Sequence, residues 1–254
     1  MARYQVILSY DGTEFHGFQR QGNERTVQIE VENALRRMGW QGRSILAAGR
    51  TDTGVHASGQ VIAFDLDWSH PTEVLGVALN AHLPLDIGIK RVQEAPPDFH
   101  PRFDAIWRTY RYHFYFSPYR DPLQDRFAWR LWPQPEWEML AEPAALFLGT
   151  HDFTSFGNPM KPGGNTVRTV KASCWTAEQT GTWVYEITAN AFLRHMVRRV
   201  VQNLVLVASR KLEVKALQAS ILNAEVTPPG MAPPNGLTLH SVTFEDGKSV
   251  TQEI

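Results

Sequence analysis

The sequence predicts an α+β fold in which one order of elements, βαββαβ, occurs twice. Three observations predict it. Stretches of period-2 alternation, the mark of strands, are interleaved with stretches whose apolar residues recur every three to four positions, the mark of helices. The order found in residues 1–100 returns from about Arg102. A proline-rich stretch, EAPPDFHP at 94–101, separates the two runs and sets the halves at 1–100 and 101–254.

Taken in order, Tyr4–Tyr10 alternates Val6 and Leu8 against Gln5 and Ser9, as a strand does. After the loop DGTEFHGFQRQGNER, Thr26 caps a helix whose apolar face is Val27, Val31, Leu35 and Met38. Ser44–Ala48 is a short strand, and Gln60–Leu66 is another with Ile62, Phe64 and Leu66 on one face. A second helix covers about Pro71–His82, with Ser69 as its cap, and Asp86–Val92 closes the half as a strand. In the second half, Asp104–Phe116 is a long strand. A helix over about Glu136–Leu148 follows, kinked or split at Pro143 because proline removes a helical N–H. Val167–Thr176 and Thr182–Thr188 form a hairpin across EQTG. A helix over about Phe192–Ser209, a further helix over about Val214–Leu222 and a strand at Leu237–Phe244 complete the chain. A βαββαβ run is the ferredoxin-like split motif, shared with RRM-like domains. Two in tandem are expected to join edges into a continuous mixed, largely antiparallel sheet with helices on one side. No simple sequence identity links the halves, so the repeat rests on element order alone.

Composition narrows the function classes. At 254 residues and 43% hydrophobic content the chain is long and apolar enough to bury real cores. Its start, MARYQVILSYDG, has no basic stretch followed by a long apolar run, so neither a signal peptide nor a membrane span is expected. Cys174 is the only cysteine, which excludes an intramolecular disulfide and a cysteine zinc site. A reducing, cytoplasmic setting fits. A net charge of −1 argues against an indiscriminate nucleic-acid binder. Lysine occurs only at 90, 161, 171, 211, 215 and 248, the remaining basic residues being arginine. Arginine's planar fork suits phosphates and stacking, although a compositional bias explains the excess equally well.

The stretch GRTDTGVHASGQV, Gly49–Val61, is unusual in setting Arg50 and Asp52 among glycines at 49, 54 and 59. Glycines permit positive φ and close backbone approach. A carboxylate is an anion at neutral pH, and an arginine two residues away is placed to pair with it and fix its direction. An aimed carboxylate suits nucleophilic attack or proton abstraction. Taken alone, R-x-D is more often a bridge that staples a turn. Its companions shift that balance. Alternation along AIWRTYRYHFYF puts Arg108, Tyr110, Tyr112, Phe114 and Phe116 on one face. Aromatics beside arginine form the usual platform for bases, whereas Phe114 and Phe116 fit a core better. NAFLRHMVRRVV carries Arg194, Arg198 and Arg199 among apolar residues, and helical spacing puts Arg194 and Arg198 on one face. Arginines there either snorkel to solvent or anchor an anion.

Asp52 with His56, and the adjacent His151 and Asp152, are poor metal spacings, so no metal is expected. No P-loop, G-x-G-x-x-G or G-x-S-x-G occurs, so no cofactor is expected. Three other readings compete. A non-catalytic RNA-binding module explains the aromatics but leaves the Asp52 loop without a task. A metal-dependent hydrolase would use Asp52, His56, His151 and Asp152. A structural scaffold leaves the arginines of a mostly apolar helix unexplained.

Across nearly the whole chain these segments resemble the TruA-type tRNA pseudouridine synthases. The resemblance is carried by SYDGTEFHGFQRQ, VQ at 27–28, AGRTDTGVHASGQV, ALNAHLP, DFHPRFDA, RTYRY, HDFTSF, ANAFLRHMVR and NGLTL, in that order. Phe18 stands where tryptophan is frequent and Thr238 where an aromatic is frequent, neither at the chemistry. The resemblance implies isomerisation of uridines 38, 39 and 40 in the anticodon stem-loop of tRNA, without cofactor or metal, by a homodimer. It implies Asp52 as nucleophile and Tyr110 as the ring that packs on the target base and helps move its C5 proton. It further implies that Arg50 and Arg198 hold the aspartate or replace the flipped base. For holding RNA phosphates the candidates are Arg20, Arg25, Arg102, Arg108, Arg111, Arg194 and Arg199.

Overall fold

The structure, a computed structural model, describes residues 1–136, 140–179 and 181–245. The chain divides into two units, Met1–Ile106 together with the segment from Thr238, and Trp107–Leu237.

The first unit opens with β1 (Ala2–Tyr10), buried on both faces along Tyr4–Leu8 because it runs through the middle of its sheet. Even Gln5 is buried, its amide oxygen accepting from Gln93 Nε2 at 2.8 Å. The helix α1 (Val27–Arg37) starts where the sequence places its cap, with Thr26 Oγ1 accepting from the Ile29 N–H at 3.4 Å. Glu30 in its first turn and Arg36 and Arg37 in its last complement the helix dipole. β2 (Leu46–Ala47), β3 (His56–Leu66), α2 (Thr72–His82) and β4 (Ile87–Ala95) follow. The strands lie in the order β4-β1-β3, with β2 on β3, and all these pairings are antiparallel. That is the order of a ferredoxin-like split motif.

Two expectations need correction here. β3 begins at His56 rather than Gln60, so half of the glycine-rich stretch is strand. Its early residues look like loop because their inward partners are polar or backbone. A side chain at position 59 would collide with the His240 carbonyl. Ser69 does not cap α2. Pro71 occupies that position without a side-chain cap.

The second unit starts on β5 (Ala105–Phe116), then α3 (Pro122–Asp125), β6 (Trp129–Leu131), α4 (Ala141–Ala145), β7 (Gly149–Asp152), β8 (Val167–Gln179), β9 (Thr182–Ala189), α5 (Met196–Ala208) and α6 (Val214–Leu222). Its strands lie in the order β5-β9-β8-β7, all antiparallel, with β6 pairing β5 in parallel. β8 runs on to Gln179 and pairs antiparallel with β9, as the expected hairpin requires, while Thr180 of EQTG lies outside the described residues. The helix expected over 136–148 is cut down to α4, and residues 137–139 of that expectation lie outside the described residues. Pro143 is its third residue, where the missing N–H has no intrahelical partner to lose.

The helix expected from Phe192 starts only at Met196. His195 adopts a left-handed conformation (φ 66°), and Arg194 is drawn into backbone bonds with Asn158, accepting at 3.3 Å and donating at 3.0 Å. Arg194 therefore precedes the helix and does not share a helical face with Arg198.

The last strand, β10 (Leu237–Phe244), returns to the first unit and pairs in parallel with β3, Thr238 opposite His56 and Leu239 opposite Ala57. The α+β class and the mixed, largely antiparallel pairing expected from the sequence are borne out. No helix of the described residues is long and apolar enough to cross a membrane.

Candidate active site

Asp52 is the first residue of a tight turn. Its carbonyl accepts from the Val55 N–H at 3.1 Å, and Gly54 supplies the left-handed corner at φ 76°. Gly54 alone of the three glycines in the stretch has a positive φ. Asp52 is half-buried, neither sunk in the core nor fully in water.

The residue before it is held inward. Thr51 is buried, and its hydroxyl shares a 2.7 Å hydrogen bond with the hydroxyl of Tyr10, at the end of β1. Gln60 Nε2 donates to the Gly49 carbonyl at 3.0 Å. Full burial pushes the Tyr10 phenol up to about 12, against the opposing pull of hydrogen bonds from Thr51 and Gln60. Tyr10 is thus a neutral donor and acceptor at physiological pH.

The N-terminal loop closes over the same backbone. The Phe18 N–H donates to the Thr51 carbonyl at 3.1 Å, and the Gly54 N–H donates to the Phe15 carbonyl at 3.3 Å. Gly17, at φ 84°, makes this approach possible, since a Cβ there would stand 2.9 Å from the Thr51 carbonyl oxygen. The Asp52 turn is therefore clamped from β1, from β3 and from the loop that precedes α1. It is not a loose hinge.

Arg50 is exposed. The influences on its charge are partial burial and the like charge of Arg102, both lowering its pKa without neutralising it. The expected pairing of Arg50 with Asp52 is not made. His56 is buried and its Nδ1 accepts from the Gly12 N–H at 3.0 Å. The same nitrogen lies 3.2 Å from Asp11 Oδ1. A ring nitrogen accepting from a backbone N–H has no proton for Asp11, so we assign the first contact as the hydrogen bond. Arg25 is committed to a bidentate pair with Asp86 at 2.8 and 3.0 Å and lies 4.2 Å over the Phe15 ring. Arg20 reaches the fully buried Glu32 at 3.2 Å, with Arg36 at 3.4 Å on the same oxygen. Arg102 is exposed.

In the second unit the face of β5 is graded. Tyr112 and Phe114 are core, and the Tyr112 hydroxyl donates to the Pro233 carbonyl at 2.8 Å. Burial raises its pKa well above the ordinary value, with the Arg198 charge opposing. Arg108 is buried and donates to the Asn190 carbonyl at 2.7 Å. Tyr110 is half-exposed, with its ring edge-on to Phe192 at 5.0 Å. Of the two tyrosines only Tyr110 keeps a surface for a substrate. Arg198 Nε donates to the Ala232 carbonyl at 2.7 Å while the Ala232 N–H donates back to the Arg198 carbonyl at 3.0 Å, which ties the segment before β10 to α5. Arg111 bonds Glu186 at 2.8 Å. Arg194 is exposed and Arg199 half-buried. Sequence reasoning missed Tyr10, Thr51 and Gln60. The only signal for them was their place inside the quoted motifs.

Among the described residues no three His, Cys, Asp or Glu side chains gather as metal ligands. A ferredoxin-like α+β unit that presents one half-buried carboxylate from a clamped turn beside exposed arginines has the equipment of an enzyme acting on an anionic substrate. Comparison with known proteins gives that class its family. The sequence profile described as tRNA pseudouridine synthase matches residues 6–104 and 144–245. The chain belongs to the tRNA pseudouridine synthase family, and it is an isomerase that converts uridine to pseudouridine in tRNA. It is similar to tRNA pseudouridine synthase A of Pseudothermotoga lettingae, 41% identical over 96% of this chain and 100% of that protein. It is 39% identical to the protein of the same name from Methylacidiphilum infernorum, over 95% of each. A third, from Streptococcus equi subsp. equi, is 37% identical over 97% of this chain and 100% of the relative.

Proposed function

We propose that this enzyme isomerises uridines 38, 39 and 40 in the anticodon stem-loop of tRNA, with Asp52 as its nucleophile or base. The observation that carries the reading is the turn itself. The Thr51 side chain before Asp52 is spent on a buried bond and the Gly49 carbonyl is held by Gln60, while Asp52 itself is left half-buried at the corner. In this reaction the N1–C1′ bond breaks, the base rotates, and a C5–C1′ bond forms. The C5 proton leaves and N1 gains one, so atoms balance without a co-substrate. A carboxylate held in place contributes by orientation and by offering negative charge without reorganisation.

The uridine must leave its stack, at a cost of a few kcal/mol. Tyr110 stacks on the target base, which offsets about 1–3 kcal/mol of that, and its hydroxyl assists removal of the C5 proton. Arg50 and Arg198 orient the aspartate or fill the place of the flipped base. Arg102, Arg194 and Arg199 meet phosphates, with Arg20, Arg25 and Arg108 in supporting positions. The enzyme works as a homodimer in the cytoplasm, without cofactor or metal.

Asp52→Asn tests the assignment. The variant is expected to fold and to bind tRNA with unchanged affinity, yet to release no tritium from tRNA labelled at uridine C5. Substantial release by that variant would remove Asp52 from the chemistry. Carbodiimide mapping of the product tests the positions modified.

A further inference from the structure

The connection between β4 and β5 carries a large ring that the fold leaves in water. Phe103 is 74% exposed. Its backbone is nonetheless fixed. The N–H groups of Phe103 and Asp104 both donate to the His100 carbonyl, at 3.1 and 3.0 Å. The His100 N–H donates to the Asp104 carboxylate at 2.8 Å, and the Arg102 N–H donates to His100 Nδ1 at 3.1 Å. Upstream, Phe99 packs on Phe244 at 5.3 Å and its carbonyl accepts from Arg3 at 2.9 Å. These bonds close one rigid turn that holds the Phe103 ring outward.

The neighbours of that ring are selective. The His100 imidazole packs against it at 4.3 Å between centroids. The Arg102 guanidinium stands 5.9 Å from its centroid. The Arg102 charge also acts on Arg50, two residues from Asp52. An outward aromatic face, braced by a second ring and flanked by a guanidinium, matches a nucleobase with its phosphate. The π-face accepts any base by stacking and the cation meets the backbone. A purely apolar protein partner has no use for a guanidinium beside the ring, since its charge would have to be desolvated.

We propose that the His100–Asp104 turn is a stacking platform for an unstacked base of the bound tRNA, with Phe103 as its face and Arg102 meeting the adjoining phosphate. The inference rests on the proposed function only for the identity of the ligand, and it is independent of the role of Asp52.

The test compares Phe103→Leu, which keeps an apolar side chain without a π-face, with Phe103→Tyr, which keeps the ring. Affinity for an unmodified tRNA transcript is measured by filter binding, and tritium release gives kcat and KM. Phe103→Leu is expected to weaken affinity about 5- to 100-fold, the fold-change that one base–aromatic stack represents. It should raise KM with kcat little changed and leave the Tm where it was. Phe103→Tyr should restore affinity. Wild-type affinity in Phe103→Leu, when the unsubstituted enzyme binds tRNA, overturns the platform alone. Failure of the unsubstituted chain to bind tRNA overturns the proposed function with it. A change of oligomeric state by sedimentation, with tRNA affinity unchanged, makes the surface a protein contact and also overturns the proposal.

Discussion

Tyr10 shows how a residue far from Asp52 in sequence fixes its neighbour Thr51. Its hydroxyl is fully buried and bonded to Thr51, and its pKa stands near 12 against an ordinary value of 10.0. The neutral phenol is favoured in the folded state, so its contribution to stability is complete below pH 10 and is lost as pH rises towards 12. Two pKa units correspond to about 3 kcal/mol. Urea unfolding measured from pH 8 to above pH 11 is expected to show stability falling from about pH 10 upward. Tyr10→Phe should flatten that fall, although the raised phenols of Tyr112 and Tyr185 leave a residual slope. At neutral pH the same substitution removes a partner from buried Thr51, costs about 1–3 kcal/mol, and should slow tritium release. An unchanged alkaline profile would show that Tyr10 is not held neutral by burial.

At the scale of elements, the Asp52 turn depends on the loop that precedes α1. Gly17→Ala places a Cβ against the Thr51 carbonyl oxygen at a left-handed φ. The expected outcome is a loss of about 1–3 kcal/mol in urea unfolding, with tritium release reduced more than tRNA affinity. Equal losses in both would mean the clamp serves folding alone.

The elements also show what a sequence displays. α1 was legible because its cap, its dipole residues and its apolar spacing agree. The start of α5 was not, because Phe192 and Leu193 extend the apolar period although Arg194 is bonded to Asn158 and His195 turns left-handed. The early part of β3 was hidden for the opposite reason. His56 looks like a loop residue, and only its remote partner, the Gly12 N–H, makes it core.

For the molecule as a whole, a net charge of −1 requires the basic groups that meet RNA to be segregated. Several arginines are already engaged, Arg25 with Asp86, Arg20 with Glu32 and Arg111 with Glu186. A small set of phosphate contacts, about three, is expected to make tRNA affinity fall about 10- to 100-fold between about 50 and about 200 mM salt. A flat dependence in filter binding would contradict phosphate recognition by arginine. The candidate site itself was legible where chemistry is concentrated in one motif, as with Asp52. It was not legible where a role comes from folding alone, as with Thr51, turned inward by Tyr10, and Phe103, turned outward by its own turn.

The pairing of β10 with β3 sets an order of assembly. Residues 56–57, four positions past the aspartate, meet their parallel neighbour only when residues 238–239 have been synthesised. During translation the first hundred residues emerge with β2 already able to cover residues 62–63 of β3 but with residues 56–57 still awaiting their parallel strand. A fragment ending near residue 106 would keep both its helices and its aspartate, yet carry a sticky, unfinished border beside them. Completion of the first unit thus waits until residues 238–239 have been made.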